Sequence, residues 1–535
     1  MTTHHVTNQP PPLVGHDVAD DPALLEGVVR EGAGWALDEL HRLGRLAGSA
    51  QAQEWGEQAD RYGPELRTHD RYGHRVDEVV FHPAWHSLLD VAVSAGLAGA
   101  PWASDRPGTH VARAAGFFTW GQVEAGHGCP VSMTYAVVPA LRHAPELAAV
   151  YEPLLTGRSY DPGLREPTSK RGLLAGMGMT EKQGGSDVRA GTTVATPRGD
   201  GTWSLRGHKW FTSAPMCDVF LVLAQAVTAS GEAGLSCFLV PRVLPDGSRN
   251  VFRIQRLKDK LGNRSNASSE PELDGTVAWL VGEPGRGVRT ILEMVAMTRL
   301  DCAVGSASGM RAAVRQAVHH CSHRSAFGRL LVDQPLMRTV LADLALEAEA
   351  ATAVVLRLAG AVDRGESAFA RLAVPVAKYW VCKRQPAVVA EALECLGGNG
   401  YVEESGLPRL YREAPLNSIW EGSGNVQALD VLRVLAREPA AVEAFFAEVA
   451  LAGGTVAAAG TALRSELRDV EEAGARRLVE RLALVLQASL LVRHAPSAVA
   501  DAFVTSRLHD GFGRAFGTLP RGVDVAGVLA RAETR

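Results

Sequence analysis

The chain predicts a mostly helical α+β fold in which a small antiparallel β-domain interrupts two helical regions. Three features of the 535 residues carry that expectation. Across residues 24–159 apolar side chains recur at helical spacing. Near Gly176 the texture changes to short runs of β-forming residues bounded by Gly, Ser and Pro. After Gly287 helical spacing returns and persists almost to the end. No βαβ rhythm runs through the middle block, which argues against a doubly wound sheet.

Residues 1–22, rich in Pro, His and Asp, read as an extended arm, and residues 23–175 as a bundle of short and medium helices. There Trp35, Leu37, Leu40 and Leu43 share one face. The β-domain is expected over 176–287. A Gly199-Asp200-Gly201 turn precedes an alternating stretch at 202–206, and residues 219–223 and 235–240 are short apolar strands. Residues 288–440 hold one long helix over 291–323, a second from Pro335 to about 363, and a third run stopped by Gly397-Gly398-Asn399-Gly400. The remaining 441–535 form an Ala-rich helical region with a Gly/His/Phe-rich turn at 509–517.

Composition narrows the function classes. The formal charge is −4 and 46% of residues are hydrophobic, so a surface basic enough to coat nucleic acid or an anionic membrane is not expected. Seven scattered cysteines form no C-x-x-C pair, which suggests neither a zinc site nor a disulfide framework and fits a reducing cytoplasm. The N-terminus lacks the charged-then-apolar order of a secretory signal, and no run of about 18 apolar residues could span a membrane. A Walker A loop, H-E-x-x-H and G-x-S-x-G are absent. The Gly397 cluster follows a helix, not the strand a dinucleotide loop requires.

Four stretches carry chemistry. In Thr180-Glu181-Lys182-Gln183-Gly184-Gly185-Ser186-Asp187, with Met179 before it, glycine-exposed amides and hydroxyls can cradle a pyrophosphate or a flavin edge; taken alone, a polar loop entering a strand is the favoured explanation. Gly207-His208-Lys209-Trp210-Phe211-Thr212-Ser213 offers aromatics beside hydroxyls for a flat cofactor, or an ordinary buried strand. Arg324-Ser325-Ala326-Phe327-Gly328, with Gln334, could grip phosphate, or simply cap a helix. In Trp420-Glu421-Gly422-Ser423-Gly424-Asn425 a lone carboxylate among apolar neighbours could serve as a general base.

Taken in order, TEKQGGSD, GHKWFTS, KDKLGNRS, RSAFGR, LGGNGY and WEGSGN resemble the acyl-CoA dehydrogenase superfamily. VTNQPPPL, REGAGW, FHPAWH, EAGHGCPVSMT and KDKLGNRSNASSE resemble its AidB-type alkylation-response branch. The resemblance covers roughly residues 1–437. It implies an N-terminal helical domain, a β-domain, a four-helix bundle, an added C-terminal helical domain, and one FAD per subunit of a homotetramer. Met179, Thr180 and Gly185 would touch the flavin ring and Ser186 the pyrophosphate, with Phe211, Thr212 and Ser213 against the isoalloxazine. Arg324, Phe327, Gln334, Gly397 and Gly398 would come from a neighbouring subunit, while Trp420, Ser423 and Asn425 flank the cofactor from the other side.

Glu421 matches the family's catalytic base, which removes an acyl-CoA α-proton as hydride leaves the β-carbon. The isovaleryl-type branch carries its base on the long helix instead. The matching segment here is Met297-Thr298-Arg299-Leu300, without a carboxylate. Trp420 for Tyr, Phe211 for Trp, Lys182 for Pro and Glu394 for Gln depart from the family pattern. The branch also implies double-stranded DNA as a partner. Arg433, Arg437, Arg476, Arg477, Arg481 and Arg493 are the candidate patch, although eleven Arg meet eleven acids across 441–535. No metal site is expected.

Overall fold

A computed structural model describes residues 3–227, 231, 233–467, 470–508 and 515–533, so most of the turn expected at 509–517 lies outside the described residues. The chain forms two compact units: one of Met1–Gln53, Pro107–Val123 and Arg299–Arg535, the other of Glu54–Arg106 and Glu124–Thr298. The expected N-terminal helical region is thus shared between them.

The first unit is helical and is built on the helices Pro335–Asp363 and Ser367–Cys395. The former starts with Pro335 at its first position, where the missing N–H is no loss, and buries Leu341, Leu344, Val354, Val355 and Leu358. The C-terminal helix Ala475–His494 packs on both of these and on Gly424–Arg437, so residues beyond 441 share one apolar core with the bundle. Trp35 stays 39% exposed, its indole N–H donating to the Pro107 carbonyl, while Leu40 and Leu43 are buried as their spacing requires.

The second unit centres on an eight-stranded sheet: β3 Ala175–Gly178, β4 Val194–Pro197, β5 Trp203–His208, β6 Thr212–Ser213, β7 Val219–Val227, β8 Ala233–Pro241, β9 Arg253–Leu257 and β10 Ser268–Val281. Before them β1 Glu65–His69 and β2 Arg75–Val80 form a hairpin inside a segment whose periodicity reads as helical. The sheet is mainly antiparallel, but β3 and β4 pair in parallel with β7. Burial explains β7 and β8, which are apolar almost throughout because both faces are covered. β10 pairs with β5, β6, β8 and β9, and bulges at Asp274/Thr276 where Gly275 takes φ 86. Among the described residues no helix is long and apolar enough to cross a membrane.

Candidate active site

In the sheet unit the first two chemistry-bearing stretches are locked together. The amide of Trp210 donates to the Thr180 carbonyl at 2.9 Å, and the Lys182 amide to Nε2 of His208 at 3.0 Å. Beneath them Glu181 and Lys209, each 2% exposed, form an ion pair at 2.8 Å. The Glu181 carboxylate also accepts from the amides of Thr192 and Thr193, the Thr192 hydroxyl and the Gln183 amide. Burial opposes ionisation of Glu181, but Lys209 and these donors outweigh it and hold the carboxyl well below the usual range. The pair falls inside both motifs, yet nothing in the one-dimensional pattern joins positions 181 and 209.

Above this pair Met179 and Thr180 are half-buried, and Gly185 and Ser186 are exposed. A Cβ added at Gly185 would lie 3.2 Å from Cγ2 of Thr180, so glycine permits this close approach. Phe211 is 54% exposed and Thr212 is buried. The Thr212 hydroxyl has no hydrogen-bond partner among the described residues, a donor left for a ligand. Ser213 lies with its hydroxyl 3.5 Å from that of Ser268. A half-exposed ring, exposed loop amides and an orphan hydroxyl side by side fit the edge and face of a flavin. Trp210 carries the Lys258 ammonium 3.2 Å from its ring centre, with Lys182 at 5.3 Å.

EAGHGCP and KDKLGNRS also meet here. Glu124 accepts from the Ser265 hydroxyl, the Gly126 and His127 amides and the His127 ring; burial pushes its pKa up, but the His127 ring and the two amides outweigh this and bring it to about 2.

In the helical unit the third stretch forms the small hairpin Ser325–Ala326/Arg329–Leu330. Phe327 and Gly328 occupy its turn with φ 54 and 79, and the Phe327 ring is 100% exposed. The N-terminal arm stitches this hairpin in place. Asn8 exchanges hydrogen bonds with the Ser325 backbone, Arg324 donates to the Asn8 carbonyl, and Asn399, beside Gly397 and Gly398, donates to Gln9. Gln334 holds the Ala326 carbonyl at 3.0 Å. Arg324 is therefore engaged within its own chain.

The fourth stretch is the most constrained. Glu421 takes φ 57 and Gly422 φ 92. The carbonyls of Trp420 and Gly422 accept from the Lys378 ammonium at 2.8 and 2.5 Å, and the Glu421 carbonyl accepts from Gln427 at 2.9 Å and Arg299 at 3.1 Å. Arg299 also pairs with Asp430 at 2.7 Å. The alternative base segment on the long helix thus contributes a guanidinium to this loop, a link 122 positions apart that sequence reading missed. Trp420 is oriented by Asn417, its indole N–H donating to Oδ1 at 2.9 Å. Ser423 opens the helix Gly424–Arg437 without a side-chain cap bond, and Asn425 is exposed.

The six arginines do not share one environment. Arg476 lies at the Gly424 backbone beside Lys383: a Cβ on Gly424 would stand 2.5 Å from Cε of Lys383 and 3.4 Å from Nη2 of Arg476. Burial, then the charge of Arg476, lowers the Lys383 pKa. Arg433 pairs with Asp430 at 3.3 Å and Arg493 with Glu448 at 2.7 Å, and Arg481 pairs with Glu466. Arg437 and Arg477 are exposed.

Comparison with known proteins agrees with this assembly of parts. The family model described as the adaptive response protein AidB N-terminal domain matches residues 8–162. The acyl-CoA dehydrogenase middle domain matches 176–276, and its C-terminal domain 285–436. The AidB protein of Escherichia coli (strain K12) is 48% identical over 514 residues, 94% of each chain. Acyl-CoA dehydrogenase family member 11 of Caenorhabditis elegans is 34% identical over 402 residues, 72% of this chain and 64% of that one. Among solved structures, C. elegans ACDH-11 in complex with C11-CoA superposes with a TM-score of 0.86 at 28% identity, covering 99% of this chain and 93% of that one. With its AidB-type N-terminal region and its dehydrogenase middle and C-terminal domains, the chain belongs to the acyl-CoA dehydrogenase family, in the AidB branch.

Proposed function

We propose that the protein is an FAD-dependent acyl-CoA dehydrogenase in which Glu421 removes the α-proton of an acyl-CoA thioester. The observation that carries this reading is the backbone of Glu421. A non-glycine residue at φ 57 is strained, and it persists only where its surroundings over-determine it. Three successive carbonyls bound by buried or half-buried donors supply that constraint, and the one side chain so presented is a carboxylate.

In the sheet unit FAD would be held by the Thr180–Ser186 loop, Phe211, Thr212 and Ser213; in the helical unit Lys383 and Arg476, beside the Ser423–Asn425 loop, suit a phosphate. Bound flavin supplies an acceptor for the hydride leaving the β-carbon. The carboxylate of Glu421 takes the α-proton, while the loop keeps it from relaxing away. Trp420, fixed by Asn417, would limit the acyl chain. Phe327, Leu336 and Tyr401, 100%, 85% and 81% exposed, favour a neighbouring copy covering this surface, as a tetramer would require.

Duplex DNA binding is the weaker reading. Of the six candidate arginines, Arg433, Arg481 and Arg493 are already matched by carboxylates and Arg476 stands at the Ser423 loop, so four of the six are engaged within the chain.

The test is anaerobic flavin spectroscopy of the purified FAD-loaded protein with acyl-CoA thioesters that include an eleven-carbon chain, alongside Glu421→Gln. Bleaching of the flavin in the wild type and its loss by at least about a thousandfold in Glu421→Gln are expected, since the reaction has no other base. A wild type that no thioester reduces, or a Glu421→Gln protein that reduces normally, overturns the assignment.

A further inference from the structure

Lys378 lies on the helix Ser367–Cys395 and is 1% exposed. A lysine on a helix normally extends its ammonium to water, because burying that charge without a carboxylate is costly. Among the described residues no ion pair joins Lys378 to an acid. Its ammonium instead donates to the carbonyls of Trp420 and Gly422, the residues on either side of Glu421.

The geometry has a direct consequence. With these two carbonyls drawn to one nitrogen, the chain between them must reverse, and Glu421 and Gly422 do so together at φ 57 and φ 92, the former a side-chain-bearing residue in the left-handed region. Gln427, fully buried, binds the Glu421 and Gly422 carbonyls at 2.9 Å each and closes the clamp from the following helix. The thiol of Cys302, which burial pushes up, is pulled down by Lys378 and pushed up by Glu421, so ammonium and carboxylate both act on one buried sulfur.

We propose that Lys378 is a positioning residue for the proton-abstracting carboxylate: its buried ammonium clamps the carbonyls of the residues on both sides of Glu421 and so sets the direction of that side chain. This rests on Glu421 being the base. A purely structural cross-link would need only two hydrogen bonds between a helix and a loop. A positioning role further demands that the rate of the chemical step depend on Lys378 while substrate affinity does not.

The experiment uses the full-length, FAD-loaded protein as wild type, Lys378→Met and Glu421→Gln. Anaerobic flavin reduction by an eleven-carbon acyl-CoA is followed at saturation, together with acyl-CoA affinity, bound FAD and hydrogen exchange at residues 421–424. Lys378→Met is expected to lower the limiting reduction rate about a hundredfold, the scale of a misplacement of about 1 Å. Affinity should stay within about twofold with FAD retained, and exchange at 421–424 should quicken by about tenfold or more. An unchanged rate, unchanged exchange, or a joint fall of rate, affinity and FAD content overturns the proposal. Should Lys378→Met fail to fold, Lys378→Gln, which keeps an N–H donor but no charge, is judged by the same criteria. A fully active Glu421→Gln shows instead that the base assignment has failed, and this proposal falls with it.

Discussion

Replacing Lys209 by Met would leave Glu181 ionised, 2% exposed and without its cation. Removing one partner of a buried ion pair costs about 3–5 kcal/mol. Four hydrogen bonds to the carboxylate survive, from Gln183, Thr192 and Thr193, which places the loss near the lower end. The Leu223 carbonyl also loses the Lys209 ammonium at 2.7 Å. A destabilisation of about 3 kcal/mol at pH 7 is expected. The sign of its pH dependence follows from Glu181, whose folded pKa lies below the unfolded value of about 4.3. The folded state binds fewer protons there, so the pair's stabilisation is complete above about pH 5 and fades as pH falls through the folded pKa. In Lys209→Met burial acts without the opposing cation, so the group protonates at higher pH. The difference between wild type and variant should therefore be largest at neutral pH and shrink on acidification. Urea denaturation from pH 7 to pH 4 measures it, and the double variant Lys209→Met/Glu181→Gln should recover part of the loss. A difference below about 0.5 kcal/mol at pH 7, or one that grows toward acid, would refute the reasoning.

Two further outcomes test other parts of the structure. Gly422→Ala forces a side chain into φ 92 and places its Cβ 2.8 Å from Nε2 of Gln427, so urea denaturation should show a loss of about 1–2 kcal/mol; no loss would mean the loop is not held as described. Phe327→Ala removes a ring that is 100% exposed, so folding stability should stay within about 0.5 kcal/mol, while the proposed tetramer should shift to smaller mass by light scattering; an unchanged mass would overturn the proposal that a neighbouring copy covers this ring.

Much of the architecture was legible because it is local. The helix Pro335–Asp363 begins and ends where its proline, its spacing and the Arg364-Gly365 turn require, and the three-residue-plus pattern before Gly397 does stop there. β5, β7 and β8 follow from alternation or short apolar runs. The hairpin of β1 and β2 escaped because charged, half-exposed residues alternate weakly, and β10 because Glu270, Pro271 and Asp274-Gly275 break up its apolar pattern, although the strand pairs with four others. Strand identity there depends on partners, not on the segment itself.

By itself the sequence determined the order of helical and sheet regions, the family, and the residue types in each motif, since periodicity, turn chemistry and motif spacing are properties of neighbouring positions. Only the tertiary structure decided what holds those motifs: Lys209 against Glu181, Arg299 and Lys378 on the Glu421 loop, Asn8 on the Ser325 hairpin. Each of these contacts joins positions far apart along the chain. A buried charge settles its choice of partner by desolvation and distance in the folded core, and neither is written in local pattern.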